Sequence, residues 1–139
     1  MANYTAIVRS NYFRVKNESA FRMEIDRMED ISVNANGVEK ELLMICRDDG
    51  DSLPGWYDMD EYGSYYDDEP PEIDWVDFFR RHLEDEEVAI IMEVGHEKLR
   101  YLTGVATAYN NKGETDYVSL GEIYQRAEKL GKNVTEAEY

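Results

Sequence analysis

Cysteine is almost missing from this chain. Cys46 is the only one in 139 residues, which excludes an internal disulfide and a redox pair. Histidine is scarce too: His82 and His96 are the only two. No zinc spacing, phosphate-binding glycine loop or nucleophile elbow is present. No apolar stretch approaches the ~20 residues of a membrane span. The opening MANYTAIVRSNYF has no basic leader running into an apolar segment, so no signal peptide is expected. Basic residues are outnumbered, 15 against 31 acids. These absences predict a cytoplasmic protein that needs no cofactor, stays off membranes and does not bind nucleic acid directly.

What is present divides unevenly. The hydrophobic fraction is 42%, ordinary for a globular protein, and the length suits one domain. Such a domain buries roughly 68% of its unfolded surface. The net charge of −16 is local. From Asp48 to Phe79 the chain reads DDGDSLPGWYDMDEYGSYYDDEPPEIDWVDFF, with twelve acids and no Lys or Arg. The rest carries 19 acids against its 15 bases. The same stretch holds both tryptophans, all three prolines and four of the eleven tyrosines. Acidity of that density favours disorder, whereas that much aromatic surface favours docking.

The flanking chain reads as regular structure. Tyr4 to Val15 is rich in β-branched and aromatic residues and predicts a strand, with a bend or bulge where Arg9 and Asn11 interrupt its apolar parity. Asn17 is placed to cap a helix carrying Phe21, Ile25 and Met28 and ending near Glu29. Ile31 to Cys46 predicts a hairpin about Asn36-Gly37, the pair a type I′ turn favours. Its LLMIC end suits a strand buried on both faces, and Arg47 closes this half. After Pro70-Pro71, Asp74 caps a helix with Ile73 and Phe78 as a hydrophobic staple. Glu87 to Val94 predicts a central strand, Gly95-His96-Glu97 a tight turn, and Lys98 to Tyr109 a strand with Leu99, Tyr101, Val105 and Tyr109 on one parity. Asn110 to Gly113 turns into a strand over 114–118. Ser119 to Glu122 reads as a capping box, opening a last helix that buries Ile123, Ala127 and Leu130 and stops at Gly131.

The order is therefore β-α-β-β-(acidic loop)-α-β-β-β-α. The fold class is α+β: a mostly antiparallel sheet of five to six strands, with three helices over one face. The domain spans 1–131, with an acidic aromatic insertion at 48–74 and a flexible tail at 132–139.

Three segments carry a family likeness: SNYFRVK at 10–16, EVAIIMEVGHEKLRYLTGVA at 87–106 and VSLGEIY at 118–124. They resemble a family of small acidic proteins carried by bacteriophages, plasmids and conjugative elements. The likeness covers roughly a quarter of the chain, in framework segments that bring no catalytic residues. It implies a mobile-element setting, where short acidic proteins often inhibit host restriction enzymes or CRISPR effectors.

Three chemistries compete for the tract. In the first, it is a DNA-mimic surface. Twelve carboxylates match the charge of about 20 Å of duplex, which carries one charge per ~1.7 Å. Asp58, Asp60, Glu61, Asp67, Asp68 and Glu69 would supply charge; Trp56, Tyr57, Tyr62, Tyr65 and Tyr66 would supply anchoring area. The plain alternative is a solvated acidic loop. In the second, Asp58, Asp60 and Glu69 fall at positions 1, 3 and 12 of a calcium loop with Gly63 at position 6. Tyr62 at position 5 and Pro70-Pro71 directly after Glu69 oppose that reading, and no metal site is expected. The third is catalysis. His82 falls on an aromatic helix face and reads as a packed histidine. His96 beside Glu93 and Glu97 is an ordinary turn histidine, and Cys46 reads as buried and inert. No enzyme is expected. The sequence points to a non-catalytic anti-defence protein, a monomer or homodimer, that binds a basic nucleic-acid-binding protein of the host. The alternative is a mobile-element accessory or regulatory protein whose tract binds cations or another basic protein.

Overall fold

The computed structural model describes residues 4–98, 101–135 and 137. The apolar run after Val88 becomes a nine-residue strand at the middle of a six-stranded antiparallel sheet. In chain order the elements are β1 (Tyr4–Ser10), α1 (Glu18–Ile25), β2 (Ser32–Ala35), β3 (Leu43–Arg47), α2 (Trp75–His82), β4 (Ala89–Glu97), β5 (Tyr101–Tyr109), β6 (Thr115–Ser119) and α3 (Glu122–Ala127). The strands lie in the order β2-β3-β1-β4-β5-β6. The fold is α+β, as the alternation of apolar residues and turn signals indicated.

Side-chain alternation gives the sheet two unlike faces. Ala6, Val8, Leu43, Ile45, Ala89 and Ile91 point to the inner face and are buried. α1 and α2 cover that face with rings. Phe13 meets Phe21 and Phe79 edge-on at 5.8 Å, and Phe78 meets Phe79 at 5.1 Å. Phe13, Phe21, Phe78 and Phe79 have no exposed surface. Both caps read from the sequence form. Asn17 Oδ1 accepts from Ala20 N at 3.0 Å, and Asp74 Oδ1 accepts from Asp77 N at 3.1 Å. Ile73 and Phe78 are both buried, as a staple requires.

The expected bend in the first strand is a substitution of side chain for backbone. β1 ends at Ser10, and Asn11 takes over the ladder. Its Oδ1 accepts from Ile90 N at 2.7 Å and its Nδ2 donates to Val88 O at 2.9 Å. Phe13 and Val15 then make single bridges to Leu43 and Leu83. Asn11→Ala is expected to cost about 1–2 kcal/mol, because it removes both bonds and strands the Ile90 amide. Urea unfolding checks this.

Three local expectations are corrected. Asn36-Gly37 does not form a type I′ turn. Asn36 Oδ1 instead accepts from Val38 N and Glu39 N, Asn36 N donates to Leu42 O, and Gly37 stays out of the left-handed region. An Asx turn satisfies these amides locally, and polar residues 39–41 have no buried face to pair. Gly95-His96-Glu97 is strand, not turn. It continues β4 because both neighbours pair there, Ala6 and Thr103 each opposite Gly95. The glycine is required by close approach: a Cβ would lie 2.5 Å from Thr5 O. Gly95→Ala should cost about 2 kcal/mol by forcing β1 aside, read as a lower urea midpoint.

The third correction concerns α3. Ile123 is 58% and Leu130 92% exposed, and the helix buries none of its residues. Half of the expected capping box forms, with Glu122 Oε2 accepting from Ser119 N at 2.8 Å; the cap position is Gly121, which has no side chain to donate or accept. Among the described residues two helices therefore cover the inner face, and on the outer face Met92, Val94 and Val118 stay about half exposed. Leu99 and tail residues 136, 138 and 139 lie outside the described residues.

Candidate functional site

The acidic tract follows β3 and crosses the helix side of the molecule along a chain of anchors. The first is Arg47, a buried cation that sequence reading took only as the end of a strand. Its guanidinium grips Asp49 through Nε (2.9 Å) and Nη2 (3.0 Å) and donates to Ser52 O at 2.7 Å. Burial works against the Arg47 charge, but Asp49 more than offsets it and raises the pKa. The same contact lowers that of Asp49. The second anchor is Glu93 on the inner face of β4. It accepts from Ser52 Oγ, Leu53 N and the Tyr4 hydroxyl. Trp75 Nε1 then donates to Pro54 O at 3.1 Å.

From Gly55 to Ile73 the tract folds on itself. Tyr57 N donates to Pro71 O and Ile73 N to Gly55 O, pairing its two ends. Within them, Met59 bridges Tyr65 across a small hairpin. Asp60 closes its tip by accepting from Tyr62 N (2.8 Å) and Ser64 N (3.0 Å), with Gly63 at φ 85°. The proline pair and the glycine thus order a segment whose charge alone would keep it open.

The deepest anchor is a three-partner cluster at Glu24. Its carboxylate accepts from both Arg81 Nη atoms at 2.8 Å and from the Tyr57 hydroxyl at 2.5 Å, and it contacts His82 Nε2 at 2.8 Å. Arg27 lies 4.3 Å over the Tyr57 ring, and its backbone carbonyl receives Asp58 N and Met59 N. Burial alone would raise the Glu24 pKa; Arg81, His82 and Tyr57 together drive it far below the usual carboxylate range. Burial and the adjacent Glu24 carboxylate push the Tyr57 phenol up to about 12.

These shifts carry signs. The depressed Glu24 contributes stability that is present above the ordinary Glu pKa near 4.3 and is lost as pH falls below it. Tyr57 is raised, so its contribution is full below pH ~10 and lost as pH climbs towards 12. The expected stability profile is flat near neutrality and falls at both ends. In Tyr57→Phe the alkaline fall between about pH 10 and 12 should shrink, which urea titration across pH measures.

The residues read as partner-binding divide in two. Trp56, Tyr62 and Tyr65 are 60%, 86% and 69% exposed. Glu61, Asp67, Asp68 and Glu69 are exposed beside them. Tyr57 and Tyr66 are half-buried and hold the tract down, with the Tyr66 hydroxyl 3.5 Å from Arg27 Nη2. Asp60 is occupied by the turn, and Asp58 is half-buried. Of the twelve acids, Asp48, Asp49, Asp51 and Asp77 pair with arginines. Arg9 and Arg80, remote in sequence reading from any such role, take Asp48 and Asp77. The net field is therefore smaller than the tract's composition indicates. Among the described residues, no ion pair engages Asp58, Glu61, Asp67, Asp68, Glu69 or Glu72.

A cleft of about 440 Å³ opens beside the hairpin, lined by Glu29, Asp51, Trp56 and Asp58 among others. Carboxylates beside an exposed indole suit a cationic side chain. Asp58, Asp60 and Glu69 are not brought together as a calcium site: among the described residues, no three His, Cys, Asp or Glu side chains converge on a metal position. The strand register separates the other candidate group, with His96 on the outer face of β4 and Glu93 and Glu97 on the inner. His82 is packed between Phe21 and Phe78, as its helix position indicated.

What the fold and site define is an α+β protein bearing an ordered acidic-aromatic face. Comparison with known proteins found no matching family model, no matching curated protein and no matching solved structure. No helix among the described residues is long and apolar enough to cross a membrane.

Proposed function

We propose that this protein is a non-catalytic binder that presents the face from Trp56 to Glu69 to a basic, nucleic-acid-binding protein of a host defence system. The observation that carries the reading is the split within the tract. Tyr57, Arg27, Arg47 and Glu24 fix its backbone, while Trp56, Tyr62 and Tyr65 stand in solvent beside Glu61, Asp67, Asp68 and Glu69. These aromatics are mostly exposed in the single chain; in an interface they are the residues that concentrate binding energy. Fixed carboxylates beside them give the spacing that competition with nucleic acid requires. The mobile-element setting implied by the resembling segments supplies the target class, a restriction or CRISPR effector.

The test is capture from a host lysate with the protein immobilised, read by mass spectrometry, followed by binding to the purified partner. A nucleic-acid-binding partner released by duplex DNA and by salt is the expected result. Recovery of such a partner with unchanged affinity for Glu61→Gln/Asp67→Asn/Asp68→Asn/Glu69→Gln would remove the tract from the interface. Trp56→Ala should weaken binding at least about 30-fold, as loss of a central aromatic anchor does. The unfolding midpoint should stay unchanged, because the indole is mostly exposed.

A further inference from the structure

The sheet face opposite α1 and α2 is apolar across the middle of β4, β5 and β6, and among the described residues no helix covers it there. The register sets its side chains in rows across the strands. One row holds Arg9, Met92, Ala106 and Val118; the next holds Ile7, Val94 and Gly104. Met92 is 55% and Val94 52% exposed, where a solvated sheet face would carry polar residues. Leu120 extends the second row. Its N donates to Gly104 O at 2.8 Å, and its side chain sits over that glycine, where a Cβ would fall 2.6 Å from Leu120 Cδ1. Beside it lies a shallow apolar groove of about 210 Å³. Leu120 leads directly into α3, whose Ile123 and following Leu130 are also exposed.

We propose that this face is a homodimer interface, formed when two copies pack their outer sheet faces together about a two-fold axis, with the Leu120–Leu130 segment of each lying on the sheet of the other. Three observations favour a second copy. The first is area. Ile7, Met92, Val94, Leu102, Val118 and Leu120 are each about half or more exposed on this face, and Ile123 and Leu130 of the adjoining segment are exposed as well. A standard interface takes roughly 800 Å² from each partner, whereas a contiguous apolar patch on a stable monomer rarely exceeds a few hundred Å². The second is self-complementarity. The patch holds both a floor of small residues, Gly104, Ala106 and Ala108, and protruding leucine and isoleucine side chains, as an isologous contact needs.

The third is charge. At −16 per chain, two copies repel wherever their acids meet. From Asp49 onward the tract packs on the helix side, and the apolar rows lie on the other, with only Asp48 reaching the outer face through Arg9. Contact through the outer face therefore keeps the two tracts apart. Arg9, next to Met92, is already paired with Asp48; Asp116 and His96 lie in the flanking rows. This inference is independent of the proposed partner, and the dimer leaves both tracts outward.

Sedimentation equilibrium of the full chain tests it, from about 1 to 100 µM and at 0.15 and 1 M NaCl. A dimer that holds or tightens at high salt is expected, since screening removes repulsion and leaves the apolar contact intact. Met92→Lys/Val118→Lys should raise the dissociation constant at least about 100-fold. Ile123→Lys/Leu130→Lys should weaken the dimer too, with α3 as an arm of the contact. All four positions are half or more exposed in the single chain or close to it, so the unfolding midpoint of the monomeric variants should be retained. A wild-type monomer at 100 µM overturns the proposal, as does a dimer that survives Met92→Lys/Val118→Lys. A dimer abolished by salt overturns it as well, and would assign the contact to charged surface.

Discussion

Glu24→Ala is expected to lower stability by about 3 kcal/mol and to release the acidic tract from the helices. The carboxylate is 12% exposed and satisfies Arg81, His82 and Tyr57 together. Its removal leaves an arginine and a phenol partly buried without their acceptor, the circumstance in which truncating one member of a buried pair costs 3–5 kcal/mol. The lower end applies because Arg81 keeps Asp77 as a second partner, at 2.8 Å. The effect should have two readouts. Urea unfolding gives the global loss. Limited proteolysis should show cleavage between Trp56 and Glu69 at a rate that rises more than the global loss explains, because Tyr57 is no longer tied to α1. Proteolysis that tracks global unfolding alone would show that the tract is held by Arg27 and Arg47 without help from Glu24.

Phe78→Ala is expected to cost about 4 kcal/mol, the largest effect of any single change considered. Phe78 has no exposed surface and meets four rings: Phe21 at 5.6 Å, Trp75 at 5.1 Å, Phe79 at 5.1 Å and His82 at 4.6 Å. Burying a phenylalanine is worth about 1.5–3 kcal/mol by transfer, and the cavity left between two helices and a sheet adds to that. The site cannot collapse readily, because the surrounding rings are held by one another. His82 loses one wall, so the Glu24 cluster should loosen with it. The Glu24→Ala/Phe78→Ala pair should therefore be less damaging than the two losses added, with a coupling of about 1 kcal/mol in a double-mutant cycle. Simple additivity would mean that core and tract anchor are independent.

These two changes bear on the proposed function through one route. A surface that competes with nucleic acid depends on the spacing of its charges, and spacing depends on anchors outside the surface. Variants that loosen the anchors should reduce partner affinity without touching an exposed residue. Variants of Glu61, Asp67, Asp68 and Glu69 should reduce it without changing stability.

Much of the fold was legible along the chain because the signals are local. Asn17 and Asp74 cap helices through amides three residues away. Alternation in β5 and the turn at 110–113 need only neighbours. Where the reading failed, the deciding contact was remote. Gly95 looks like a turn glycine until Thr5 is seen to lie against it, 90 positions earlier. Ile123, Ala127 and Leu130 have helical spacing, and spacing states that a face is apolar without stating what covers it. Among the described residues Ile123 and Leu130 stay exposed, and the proposed second copy would supply the missing layer. Asn36-Gly37 had the composition of a tight turn, and the Asn36 side chain used its own following amides instead.

The sequence by itself determined the character of the tract: its acidity, its aromatics and the prolines that close it, since these are properties of composition. Only the tertiary structure decided which of those residues are available. It turned Tyr57 inward to Glu24 and Tyr66 towards Arg27, matched Asp48, Asp49 and Asp77 with arginines, and left Trp56, Tyr62 and Tyr65 in solvent. The physical reason is that charge and hydrophobicity belong to a residue, whereas solvation and pairing belong to its surroundings. Residues 24, 27, 47, 81 and 93 surround the tract in space while lying outside it in sequence.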